Sequence, residues 1–156
     1  MLQISHFSKT YPGGKTAVQD LSLEVQAGQI VGFIGHNGAG KSTTLRAVAG
    51  ILPFETGSIT VGGYDIHTQP VQAKRVMACL PDNPDLYEFM SGIKFLNFVA
   101  DLYGIPAAER TSRIQQYAGA YELTDALGSA IGSYSHGMEQ KLALISALIR
   151  RPRLLI

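Results

Sequence analysis

Cysteine is nearly missing from this chain. Cys79 is the only one among 156 residues, so no disulfide can form within it. A lone thiol fits a reducing compartment. Cys79 lies in the apolar stretch VMACL at 76–80, which predicts a small buried core residue rather than a reactive one. An excess of charge of one sign is also missing. Lys and Arg number 13 against 12 Asp and Glu, a formal net charge of +1. Without a basic surplus there is no electrostatic case for binding nucleic acid. No apolar run approaches the ~20 residues that span a bilayer. The opening MLQI has no basic stretch leading into an apolar one, so no signal peptide is expected. Any membrane role would have to come through a partner. Internal repeats and low-complexity segments are absent as well. What is present is apolar material: hydrophobic residues make up 46 % of the chain. That is too much for a disordered polypeptide, and the length suffices for one compact domain with a core.

The most informative stretch is GHNGAGKS at 35–42. It fits G-x-x-x-x-G-K-[ST], a loop whose glycines let backbone N–H groups close on an anion. Gly35, Asn37, Gly38, Ala39 and Gly40 form the loop. Lys41 can reach the β- and γ-phosphates of a nucleotide, the Ser42 hydroxyl can ligate Mg²⁺, and Thr43 follows at the helix start. The context agrees. Residues 29–34 are apolar and predict a buried parallel strand, and 42–49 have helical spacing with Leu45, Val48, Ala49 and Leu52 on one face. Strand, glycine loop and helix N-terminus in that order build an anion site from backbone dipoles.

Around this motif the chain reads as α/β. Alternation at Leu2/Ile4 and Leu21/Leu23/Val25 predicts two half-buried strands joined by a turn at 11–14. Gly62 and Gly63 between two short β-like runs signal a hairpin. A short helix near 71–74 and a strand ending at Leu80 follow. Beyond Pro81 the pattern becomes helical. Phe95, Phe98, Val99 and Leu102 recur at helical spacing with Gly104 as a stop, and Ile114, Tyr117, Ala118 and Tyr121 repeat the pattern. Residues 82–133 therefore read as a helical insertion. A last helix spans 137–150 with Leu142, Ile145, Leu148 and Ile149 inward, and an apolar strand begins at Leu154.

At the head of that last helix stands YSHGMEQ, 134–140. Read alone, Ser135 fits a plain helix N-cap, or, with the adjacent glycine, a hydroxyl and bare N–H groups offered to a phosphate. With the phosphate loop about a hundred residues earlier, the chain resembles the ATP-binding subunit of ABC transporters, in the group of bacterial drug-type and ABC-2-type exporters. The family signature is usually L-S-G-G-Q. Ser135 and Gly137 match its serine and second glycine, while Tyr134, His136 and Met138 depart from it. The resemblance implies a P-loop NTPase core, a parallel sheet flanked by helices. It adds an N-terminal antiparallel β subdomain and an inserted α-helical subdomain. The implied subregions of a single domain over 1–156 are a β/P-loop core at 1–81, a helical subdomain at 82–133, and the signature helix with the start of the next core strand at 134–156.

The same resemblance implies the cofactors ATP and Mg²⁺. It implies adenine stacking on Tyr11, which could otherwise be a turn aromatic at the surface. It places Asp82 where the family has a glutamine that touches Mg²⁺ and the attacking water. A Pro-Asp turn explains that residue equally well. It implies that Ser135 and Gly137 face the nucleotide of a second ATP-binding subunit in a head-to-tail dimer. It further implies that the region of Leu86, Tyr87, Phe89 and Met90, which a core-packing loop explains equally well, borders the groove for a membrane-spanning permease subunit, with the protein peripheral on the cytoplasmic face through that partner. In the family, a strand like the one at 154–156 runs on into a Mg²⁺-binding aspartate and a glutamate base, and a later histidine contacts the γ-phosphate. The chain is thus expected to be truncated and to lack turnover of its own. The alternatives are a soluble, non-transport ABC ATPase and a nucleotide-binding module without turnover. An unrelated P-loop GTPase is disfavoured, because no N-K-x-D motif is present and the Ser135 element would be unexplained.

Overall fold

A computed structural model describes all residues, 1–156. The chain divides into two compact units. The first comprises Met1–Cys79 with Arg153–Ile156, the second Leu80–Pro152.

The first unit is built on a four-stranded antiparallel sheet with strand order β2-β1-β3-β4. Strand β1 (Leu2–Thr10) and β2 (Thr16–Val25) form the first hairpin, and β3 (Thr56–Val61) and β4 (Tyr64–Asp65) the second. Gly62 and Gly63 turn the second hairpin with φ of 61° and 90°. Positive φ at both central positions is what a tight two-residue turn between twisted strands requires. Strand β1 does not alternate simply. Leu2 and Ile4 point inward, and so do Phe7 and Lys9. The parity changes because the β1–β2 register slips between Ile4 and Phe7. His6 and the facing Asp20 both take a left-handed backbone, φ 50° each. The N–H groups at this bulge are satisfied locally: His6 N–H donates to Ser22 Oγ at 3.0 Å and Asp20 N–H to Ser8 Oγ at 2.9 Å. One extra residue thus reverses which face the following side chains enter. Phe7 ends up fully buried with its ring edge-on to Phe54, centroids 5.0 Å apart. Truncating so buried an aromatic typically costs about 3–5 kcal/mol.

Helix α1 (Lys41–Val48) and helix α2 (Pro70–Val76) complete this unit with a two-stranded parallel sheet, β5 (Met77–Ala78) and β6 (Leu154–Leu155). Met77 pairs with Leu154 and Ala78 with Leu155. Three expectations are corrected here. Residues 29–34 form no strand: no neighbouring strand hydrogen-bonds to them, and Ile30 and Ile34 stand almost wholly exposed. A buried parallel strand needs a ladder on each edge, and an apolar run alone does not provide one. Helix α1 buries Thr44, Ala47 and Val48, whereas Leu45 is exposed. Cys79 is exposed rather than core, though partial desolvation still pushes its thiol up.

The second unit is helical. Helices α3 (Gly92–Leu102), α4 (Ala107–Ala120) and α5 (His136–Leu148) enclose a core of Leu96, Ile114, Leu142, Ile145 and Ile149. Gly104, with φ 64°, stops α3 as the sequence suggested. Two short 3-10 turns, Thr124–Ala126 and Ile131–Ser133, lead into α5. Tyr134 is buried among them and its hydroxyl donates to the Ala126 carbonyl at 2.6 Å. Burial pushes that phenol up, so it stays a neutral donor. Phe98 and Leu102 on α3 remain exposed.

Candidate functional site

The loop at 35–40 ends directly in helix α1. Gly40 caps it in the left-handed region, φ 84°, and no side chain occupies the cap. The first helical N–H groups have no intrahelical carbonyl to meet, so the helix presents them, with the positive end of its dipole, at the loop. The first recorded bond back into the loop is Thr44 N–H to the Gly40 carbonyl, 2.9 Å. A Cβ on Gly40 would lie 2.5 Å from the Ala17 carbonyl oxygen and 2.8 Å from Val18 Cγ2. The loop therefore rests on strand β2 at a place where only glycine fits. Lys41 folds over the loop, its ammonium donating to the carbonyls of Gly35 at 2.5 Å and His36 at 2.8 Å.

A pocket of about 270 Å³ opens here, lined on one side by Asn37, Gly38, Gly40, Lys41, Ser42 and Thr43 and on the other by Tyr11, Lys15 and Ala17. Tyr11 is tied to the helix by its hydroxyl, 3.2 Å from Thr43 Oγ1. Seven of the residues singled out in the sequence thus meet in one pocket. Gly35 and Ala39 belong to the same loop without lining it. No Asp or Glu lines the pocket, and its two cations are Lys15 and Lys41. Sequence reading missed Lys15, because a single lysine in a turn carries no motif. The chain contains no cluster of three or more His, Cys, Asp or Glu that could cage a metal. A divalent ion here would lean on the Ser42 hydroxyl and on oxygens of the ligand itself. Free N–H groups, two lysines, hydroxyls and no carboxylate suit a polyphosphate with Mg²⁺.

The other predicted residues lie in the second unit. Ser135 caps helix α5: its Oγ accepts from Met138 N–H at 3.4 Å and its carbonyl from Glu139 N–H at 3.0 Å. Ser135, His136 and Gly137 are exposed, and a Cβ added to Gly137 would meet nothing within 4 Å. Nothing inside the chain requires glycine at that position. Asp82 is exposed, and its carbonyl accepts from Gln140 Nε2 at 3.2 Å. The same Nε2 lies 3.0 Å from His136 Nε2. Tyr87 gathers an exposed aromatic group around it, with Phe89 at 5.9 Å and Phe98 at 5.8 Å.

The chain resembles known proteins over nearly its whole length. The family described as "ABC transporter" matches over residues 18–156. The linearmycin resistance ATP-binding protein LnrL of Bacillus subtilis is 35 % identical, over all of this chain and 50 % of its own length. The ABC transporter ATP-binding protein NatA of the same organism is 36 % identical over 90 % of this chain and 57 % of its own. The chain thus spans about half the length of such relatives. Among solved structures, an ATP-binding subunit of an ABC transporter superposes with a TM-score of 0.92 at 31 % identity, covering 99 % of this chain and 64 % of that one. CbiO1 of Clostridium perfringens, described as part of the transporter complex cbiONQ, gives 0.85 at 20 % identity, over 99 % of this chain and 63 % of its own, and so shares the fold.

Proposed function

The chain belongs to the ABC transporter family, and from that premise we propose that it is the nucleotide-binding part of an ATP-driven exporter. The observation that carries this reading is the pocket in which Tyr11, Lys41, Ser42 and Thr43 converge on a helix N-terminus. Backbone N–H groups at the head of α1 donate to phosphate oxygens. Lys41 exchanges its two carbonyl partners for phosphate oxygens. Ser42 offers its hydroxyl to Mg²⁺, and the Tyr11 ring supports the adenine. When bound, MgATP would supply the phosphoanhydride whose cleavage drives the cycle, with Mg²⁺ at the Ser42 hydroxyl to offset the phosphate charge.

Ser135 and Gly137 are proposed to complete the pocket of a second ATP-binding subunit, head to tail. Their exposure supports this, as does a glycine that this chain's own packing does not need. Asp82 is proposed to approach Mg²⁺ from the loop after β5. A membrane-spanning permease is proposed to receive the motion through the exposed aromatics around Tyr87. Outward transport is supported by the relative named for linearmycin resistance, since resistance is served by removing a compound from the cell. No helix is long and apolar enough to cross a membrane, so attachment to the cytoplasmic face would come through the permease. The proposed extent is one domain, with the core at 1–81, a helical subdomain at 82–133 and the signature helix beyond. A binding module without turnover is the second reading, favoured by the lack of any carboxylate in the pocket to act as base. Calorimetry with MgATP tests the main reading. Wild type should bind and Lys41→Ala should bind far more weakly; equal affinity in both would remove Lys41 and the loop from the argument.

A further inference from the structure

We infer that Lys15 is a second phosphate-binding cation of the nucleotide pocket, reading the ligand's phosphate charge from the wall opposite the glycine loop. The inference rests on the nucleotide-binding reading above. Lys15 sits in the turn between β1 and β2. Gly13 and Gly14 take positive φ, 96° and 81°, and close the turn tightly. The Tyr11 N–H donates to the Lys15 carbonyl at 2.9 Å, and the Gly14 N–H donates to the Tyr11 carbonyl at 3.1 Å. The turn's backbone therefore fixes Lys15 beside Tyr11, and the Tyr11 hydroxyl is held 3.2 Å from Thr43 Oγ1 on helix α1. The lysine is thus placed against the pocket by the same turn that places the aromatic ring.

Its charge is uncommitted. No carboxylate pairs with the Lys15 ammonium. Lys41, by contrast, is already bonded to two carbonyls of its own loop. No acidic side chain lines the pocket to compete for either cation. A nucleoside triphosphate carries several negative charges, more than one ammonium and a helix dipole balance. A free lysine across the pocket supplies a further charge-assisted donor. Its contribution should scale with phosphate charge and vanish for a ligand that has none.

The test is calorimetry on the full chain as wild type, Lys15→Met and Lys15→Arg, with MgATP, ADP and adenosine at low and high salt. Lys15→Met keeps the aliphatic stem and removes the charge. It should weaken MgATP by roughly three- to tenfold, ADP by less, and adenosine not at all. It should also flatten the dependence of ATP affinity on salt. Lys15→Arg should retain most of the affinity. Equal losses for ATP and adenosine would show that Lys15 acts by holding Tyr11, and would overturn the inference. So would unchanged ATP affinity in Lys15→Met. If wild type binds no ATP, the nucleotide-binding reading fails first and takes this inference with it. Matching melting curves for the three proteins show that the turn itself is intact.

Discussion

Gly40 and Ala17 touch: a Cβ on Gly40 would lie 2.5 Å from the Ala17 carbonyl oxygen. The phosphate loop is therefore seated on the β1–β2 hairpin, and its backbone at Gly40 is left-handed. Gly40→Ala must move strand β2, distort the loop, or both. The expected result is a loss of about 2 kcal/mol or more of stability, from the left-handed backbone and the overlap together, with ATP affinity falling as well. Urea unfolding and calorimetry on the variant check this. An unchanged unfolding midpoint would mean that the loop is not seated there.

Tyr11 offers a separable prediction. Its hydroxyl meets Thr43 and its ring is proposed to support adenine. Tyr11→Phe loses only the hydrogen bond and should keep most of the ATP affinity. Tyr11→Ala loses the stacking surface, worth about 1–3 kcal/mol per base, and should bind ATP more weakly. Stacking reads a ring face and little else, so GTP should be only modestly worse than ATP for wild type. Titrations with both nucleotides and both variants decide the matter, and equal behaviour of Phe and Ala at this position would rule out stacking.

The hairpin made by β3 and β4 carries an acid-sensitive cap. The Asp65 carboxylate accepts from Thr68 N–H and His67 N–H, both at 2.9 Å, and from the Thr68 hydroxyl at 3.2 Å. The Thr68 N–H leads in holding its pKa below the ordinary value of 3.8, and burial opposes that effect. A depressed carboxylate stabilises the fold fully above its unfolded pKa, and the gain disappears as pH falls through the lower folded value. Asp65→Asn should therefore lower stability at neutral pH and flatten the loss of stability below about pH 4. Melting temperature against pH for both proteins reports it.

Ile30 and Ile34 are almost wholly exposed, and Ile30 lines an apolar groove of about 520 Å³ together with Phe33, Leu45, Leu154 and Ile156. Exposed apolar surface with an unpaired strand edge nearby is a template for association. The purified chain should self-associate as concentration rises, and Ile30→Asp with Ile34→Asp should reduce this. Analytical ultracentrifugation is the measurement. A monodisperse wild type at high concentration would contradict the expectation.

The two proposed readings part over turnover. General-base assistance is typically worth 10²–10⁴-fold, so on the reading of a binding module phosphate release should stay near background while ATP binding persists. Turnover at the rate of a longer relative would show that the base lies somewhere the pocket does not suggest.

Much of this was legible in the residues, for local reasons. Gly62-Gly63 fixes a hairpin by itself, Gly104 ends a helix by itself, and GHNGAGKS marks a glycine loop that runs into the start of a helix. The errors came where burial depends on a neighbour. Residues 29–34 are apolar enough for a core strand, yet apolarity does not say what pairs beside them. Leu45 fits the inward stripe of α1 on spacing, but Thr44 and Ala47 take the buried side. Cys79 follows two buried residues of β5 and emerges just past its end. Alternation also could not foresee the paired left-handed residues His6 and Asp20, which change the inward parity of β1. Lys15 was invisible for a different reason: only the fold brings a turn lysine opposite a loop twenty residues on.

Gly137 has a consequence for how this chain could be engineered. It occupies the first turn of α5 with nothing near the place of a side chain, so the helix gives up stability there without any gain in packing. Alanine at that position should raise the melting temperature, since glycine in a helix costs roughly 0.5–1 kcal/mol. If a nucleotide held by a second subunit must come close to that backbone, the same methyl group obstructs it. Robustness and partnership would then pull in opposite directions at one atom. A screen for heat-resistant variants would keep the alanine, and a screen for coupled transport would discard it.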